Sequence, residues 1–184
     1  EIGKATLAVN NSNASCENPI LLTGAATISI ASGTTSLKGK ITGEGSLLKT
    51  GAGQLNITYA GANSWTETIL QAGTLAMGTW NTTFGKSTSP IHVTGNAVIT
   101  VFNNNSTSQM PQFQNAVTID KGKTLTFHAG QRCSIKGKLL GEGTYKIDFP
   151  YVRGDVYTNC SQFEGTYQVT TTNCRFVQAM DLSK

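Results

Sequence analysis

The side chains that could carry chemistry in this sequence are few and scattered. Enzymes acting on glycosidic bonds divide acid and base roles between two carboxylates. The acids here are Asp120, Asp148, Asp155 and Asp181, with Glu1, Glu17, Glu44, Glu67, Glu142 and Glu164, and none lie two or three residues apart as a pair. Glu44 and Glu142 occupy matching Gly-Glu-Gly turns, and stacked repeats would bring both to one side. A solvated turn residue is the plainer expectation for each. His92 and His128 have no H-x-E or HExxH neighbourhood, and the chain holds neither a calcium-binding GGxGxD repeat nor a phosphate-binding GxxxxGK[ST] loop. The expectation is a non-enzyme with no catalytic residue, no metal site and no cofactor.

Lys38 and Lys40, and again Lys136 and Lys138, are spaced by two. On a strand both members of such a pair face one way. Stacked, they would form a basic stripe able to hold anionic polysaccharide or lipid headgroups. The plainer role is a lysine-bearing outer face that stays soluble and resists edge pairing. Trp80, in Trp80-Asn81-Thr82-Thr83-Phe84, is the candidate exposed contact for a sugar, whereas Trp65 and Tyr157 recur in equivalent repeat positions and suggest packing. No aromatic residues interleave with the lysines as a base-stacking platform needs, so nucleic acid is not an expected partner. Four cysteines, Cys16, Cys133, Cys160 and Cys174, contain no CxxC pair, which removes zinc and thioredoxin-like spacing. They allow two disulfides in an exported chain or buried free thiols. If bridges form, Cys160–Cys174 is the pair expected, on adjacent short strands.

The elements that must position these residues are strands. Thr, Ser, Asn and Gly dominate, with a mildly basic net charge of +4. β-Branched residues suit a pleated surface and Gly and Asn suit turns. No apolar run is long enough for a transmembrane helix. Three segments, Ile20–Ile30, Ile91–Val101 and Val117–Phe127, share apolar first, third, ninth and eleventh positions around a central turn. Each reads as two short strands with one buried face. A larger repeat contains them. LKGKITGEG at Leu37–Gly45 matches IKGKLLGEG at Ile135–Gly143, an offset of 135 − 37 = 98. Trp65 matches Tyr157 at 157 − 65 = 92, as though the second copy had lost six residues around Lys49–Leu55. The expected organisation is one domain over 1–184: an irregular cap at 1–19, a repeat half at 20–90, a shared strand pair and loop at 91–114, and a second half at 115–184. Near-identical units that cannot bury a face alone favour stacking into a parallel β-helix over a sandwich.

The stretch GEGSLLKTGAGQLNITYAGANSWTETILQAGTLAMG resembles the autotransporter-associated β-strand repeat. The matching positions are Gly43, Gly45, Leu47, Lys49, Gly51, Gly53, Leu55, Ile57, Asn63, Trp65, Thr68, Gly73, Leu75 and Gly78. Trp65 replaces a usual tyrosine, and Glu67 stands where a glycine is common. The resemblance implies an all-β, right-handed parallel β-helix with two degenerate internal repeats. It also implies a secreted or cell-surface, outer-membrane-associated bacterial location and a structural or adhesive role without catalysis. Glu1 is not a natural start, so the expectation is a processed or excised piece of a longer chain. Expected partners are a host or environmental glycan or protein, the flanking domains of the longer chain, and a second copy end to end. The alternative functions are a carbohydrate-binding module and a polysaccharide-active β-helix enzyme.

Overall fold

The computed structural model describes residues 2–10, 13–79, 82–101, 111–130, 132–150, 154–170 and 174–176. The strands follow one another around a three-sided coil. The first rung is β1 (Thr6–Val9), β2 (Ala14–Cys16) and β3 (Ile20–Leu22); the second is β4 (Ala25–Ile30), β5 (Thr34–Leu37) and β6 (Ile41–Gly43). Among the described residues the third and fourth rungs have two strands each, β7 (Ser46–Thr50) with β8 (Gln54–Ile57), then β9 (Glu67–Leu70) with β10 (Gly73–Met77). The fifth is β11 (Ile91–Val93), β12 (Ala97–Val101) and β13 (Gln112–Phe113), and the sixth β14 (Val117–Ile119), β15 (Thr124–Ala129) and β16 (Ser134–Ile135). The seventh is β17 (Lys138–Gly141), β18 (Thr144–Asp148) and β19 (Gly154–Val156), and the eighth β20 (Asn159–Phe163), β21 (Thr166–Val169) and β22 (Cys174–Phe176).

Each strand pairs in parallel with its counterpart one rung away, never with the strand beside it in sequence. The first face is an eight-stranded sheet from β1 to β20, and the second an eight-stranded sheet from β2 to β21. The third face is carried by β3 and β6 at one end and by β13, β16, β19 and β22 at the other. The fold is a parallel β-helix, as the repeats imply. The three eleven-residue units form paired strands with a buried side, but those strands lie on successive faces. Within 1–19, where the sequence predicts an irregular cap, the described residues include two regular strands, β1 and β2, which pair with β4 and β5.

Parallel sheets usually read as continuous apolar runs because both faces are covered. Here only the inner side is covered, so strands such as AVITV and TLTFHA alternate. Leu55, Leu75, Ile99, Phe127 and Ile147 stack in register along the inside of the second face. Burying each such side chain contributes about 1.5–3 kcal/mol. Phe84, Phe113, Phe127 and Phe149 continue the core edge to face, with centroids 6.3, 5.1 and 6.3 Å apart.

The matching KGK and GEG motifs do not occupy equivalent places. In the first copy Leu37 ends the second face and Ile41–Gly43 lies on the third. In the second copy Ser134–Ile135 lies on the third face and Lys138–Gly141 on the first. The motif has moved on by one face. What repeats is a corner: Gly43 and Gly141 have φ of +120° and +95°, and a Cβ at either would sit 2.0 or 2.2 Å from a carbonyl oxygen of the preceding rung. Such a site takes glycine wherever it falls on the triangle. Register sets Gly141-Glu142-Gly143 opposite Lys49-Thr50-Gly51, at the corner between the first and second faces. The apparent loss of Lys49–Leu55 is therefore a change of face.

Candidate functional site

The four lysines singled out by spacing are all exposed, yet they do not form one stripe. Lys38 and Lys40 lie at the corner from the second face to the third, and Lys136 and Lys138 at the corner from the third to the first. Lys38 pairs with Glu17 at 2.9 Å, and the lysine holds that carboxyl below its usual range. Trp80 lies outside the described residues.

Lys136 has the richest surroundings. Its Nζ donates to Gln112 Oε1 at 3.0 Å and stands 5.7 Å from the centre of the Tyr157 ring. Beside this row, Arg175 grips Asp155, with Nε to Oδ1 and Nη2 to Oδ2 both 2.9 Å. The Asp155 side chain is 6 % exposed and that of Arg175 49 %. The carboxylate raises the guanidinium's pKa further. Register places Gln112, Ser134, Asp155 and Arg175 in one column across four rungs. Tyr157 is thus an outer, half-buried residue, while Trp65 is fully buried and donates from Nε1 to Thr68 Oγ1 at 2.8 Å. The two do not share the packing role their alignment suggests, although register sets each two residues before equivalent first-face positions, Glu67 and Asn159.

Glu44 and Glu142 do not converge. Glu44 lies at the corner from the third face to the first and meets Lys86 at 3.3 Å; Glu142 lies between the first and second faces and meets Lys121 at 2.8 Å. The structure instead stacks Asp120, Glu142 and Glu164 at one corner on successive rungs. Asp120 is bonded to His92 at 2.7 Å, and on the second face His128 meets Asp148 at 2.8 Å. The sequence hid these pairs because partners lie 28 and 20 residues apart. The signal that reveals them is the single-rung period, for example 27 − 6 = 21 between Thr6 and Thr27.

Lys49 points inward and is fully buried. Its ammonium donates to the carbonyls of Thr50 at 2.7 Å, Gly51 at 2.8 Å and Ala72 at 3.2 Å. Burial pushes its pKa down to about 8. It ties one corner to the next rung and reaches no surface.

Cys160 carries a free, buried thiol in β20, which lies on the first face beside β17. Cys174 begins β22, which pairs with β19 on the third face. The strands are not adjacent, so the premise of a Cys160–Cys174 bridge is not met; the side chain of Cys174 lies outside the described residues. A shallow depression of about 440 Å³ beside the second face is lined by Ala52, Gly73, Thr74, Asn96, Ala97, Val98, Thr124 and Thr126, without a titratable side chain.

The class this geometry defines is the parallel β-helix. Comparison with protein-family models, characterised proteins and solved structures finds no match to the chain.

Proposed function

We propose that the chain is a rigid, non-catalytic structural or adhesive segment of a larger bacterial cell-surface protein of the autotransporter-associated repeat type. The observation that carries this reading is the stack itself, eight strands deep on two faces around one apolar core. A body built this way holds a fixed length and presents flat, polar outer faces. The glycine and lysine pattern of the resemblance supports it, because Gly51, Gly73 and Lys49 all serve the corners. The carboxylates support it too. Asp120 and Glu142 stand at an exposed corner, each engaged by its own partner, with no wall to exclude water. End-to-end association of such bodies belongs to the same reading.

The test is incubation of the chain with neutral and acidic polysaccharides, followed by assay of new reducing ends and unsaturated products. No product is expected. Product formation that is lost in Glu142→Gln overturns the reading in favour of a polysaccharide-active β-helix enzyme.

A further inference from the structure

Resting on the non-catalytic reading, we propose that the outer surface of the four-stranded third face, formed by β13, β16, β19 and β22, binds an acidic, uronate-bearing saccharide chain. Charge complementarity carries the choice of ligand. Arg132 and Lys136 flank this sheet, Lys138 follows at the next corner, Arg175 lies on it, and all four are exposed. The one carboxylate among the described residues of its strands is Asp155, which is buried and held by Arg175 through both oxygens. Asp148 and Glu142, on neighbouring elements, are engaged by His128 and Lys121. Among the described residues the face therefore presents cations to solvent with little competing negative charge.

The groups are also held in advance. Gln112 fixes Lys136, and Asp155 fixes the plane of a guanidinium that is still half exposed. A cation already immobilised loses less freedom on binding. Arginine suits a carboxylate because its planar donors match the two oxygens. Tyr157 is half-buried with the Lys136 ammonium over its ring, and it also neighbours Arg175, which adds an aromatic side chain beside both cations. Successive rungs are about 4.8 Å apart, close to the repeat of an extended pyranose chain. An acidic sugar chain lying across the rungs would meet Lys136 and Arg175 with carboxylates two rungs apart. A polynucleotide fits less well, since among the described side chains beside these cations Tyr157 alone is aromatic and makes no stacking platform.

Titration calorimetry with an oligogalacturonate hexamer, against a neutral galactose hexamer of the same length, tests this. The acidic hexamer is expected to bind and the neutral one not to. Lys136→Met and Arg175→Gln should each weaken binding about tenfold, while Lys40→Met, far from this face, leaves it unchanged. Glutamine at 175 keeps a donor for Asp155, and an unchanged melting temperature establishes folding. Equal binding of both hexamers, equal loss in Lys40→Met, or tighter binding of single-stranded polynucleotide overturns the proposal. Uronate bound but recovered shortened would overturn the non-catalytic reading and leave this one standing. No uronate binding, with the polysaccharide intact, would do the reverse.

Discussion

Asp155 and Arg175 are joined across adjacent strands by two parallel hydrogen bonds of 2.9 Å, twenty residues apart in sequence. The pair is asymmetric, with a buried acid and a half-exposed base. Removing the base leaves a carboxylate with little water around it, whereas Glu17, bonded to Lys38, is largely exposed. Exposed pairs contribute little. Arg175→Ala is therefore expected to lower the melting temperature clearly, and Lys38→Ala to leave it nearly unchanged. Thermal denaturation of the two variants checks the contrast.

Lys49 gives a pH dependence with a definite sign. Its pKa falls from 10.5 to about 8 on burial. Between those values the unfolded chain holds a proton that the folded chain has released, so stability rises with pH. The three carbonyl acceptors favour the ammonium and oppose the shift, so the rise is at most about 3 kcal/mol. Denaturant unfolding at either end of this window should show the rise in the native chain and its loss in Lys49→Met.

Gly137 and Gly130 should respond oppositely to alanine. A Cβ on Gly137 would lie 1.9 Å from the carbonyl oxygen of Asn115, while one on Gly130 meets nothing within 4 Å. Gly137→Ala is expected to cost more than about 2 kcal/mol through backbone displacement, and Gly130→Ala to stay within about 0.5 kcal/mol of the native chain. Equilibrium unfolding of both variants measures the difference.

Trp65→Phe should cost about 1–3 kcal/mol. It opens space in the buried core and removes the indole donor to buried Thr68. Trp65→Phe with Thr68→Val should recover part of that loss, because no hydroxyl is then left buried without its donor. Denaturation of the single and double variants tests the coupling.

The architecture was legible in the sequence because alternation and repeated corners are local signals. Leu37–Gly45 and Ile135–Gly143 look alike because both turn the chain past a carbonyl of the rung below. Which corner they turn is not local. It depends on register, which carries the earlier motif from the second face to the third and the later one from the third to the first. The same reason hid the pairs His92–Asp120, His128–Asp148 and Asp155–Arg175, each of which needs the rung period to be known. Lys136 was visible as a candidate from its spacing. Its partners Gln112 and Tyr157 were not, since they come from the rungs on either side. Lys49 matched the repeat pattern, but its inward direction follows only from the alternation of β7, where Leu47 and Lys49 share the buried side.

Hydrogen exchange resolved along the chain tests most directly whether the molecule is one uninterrupted stack. Amides of β7, β9 and β11 should be strongly protected as a continuous block with their neighbours, since first-face pairing runs unbroken through the third, fourth and fifth rungs. Protection should fall only towards the two ends. Two blocks that exchange independently, divided between β10 and β11, would contradict a single stack and point instead to two separately folded halves.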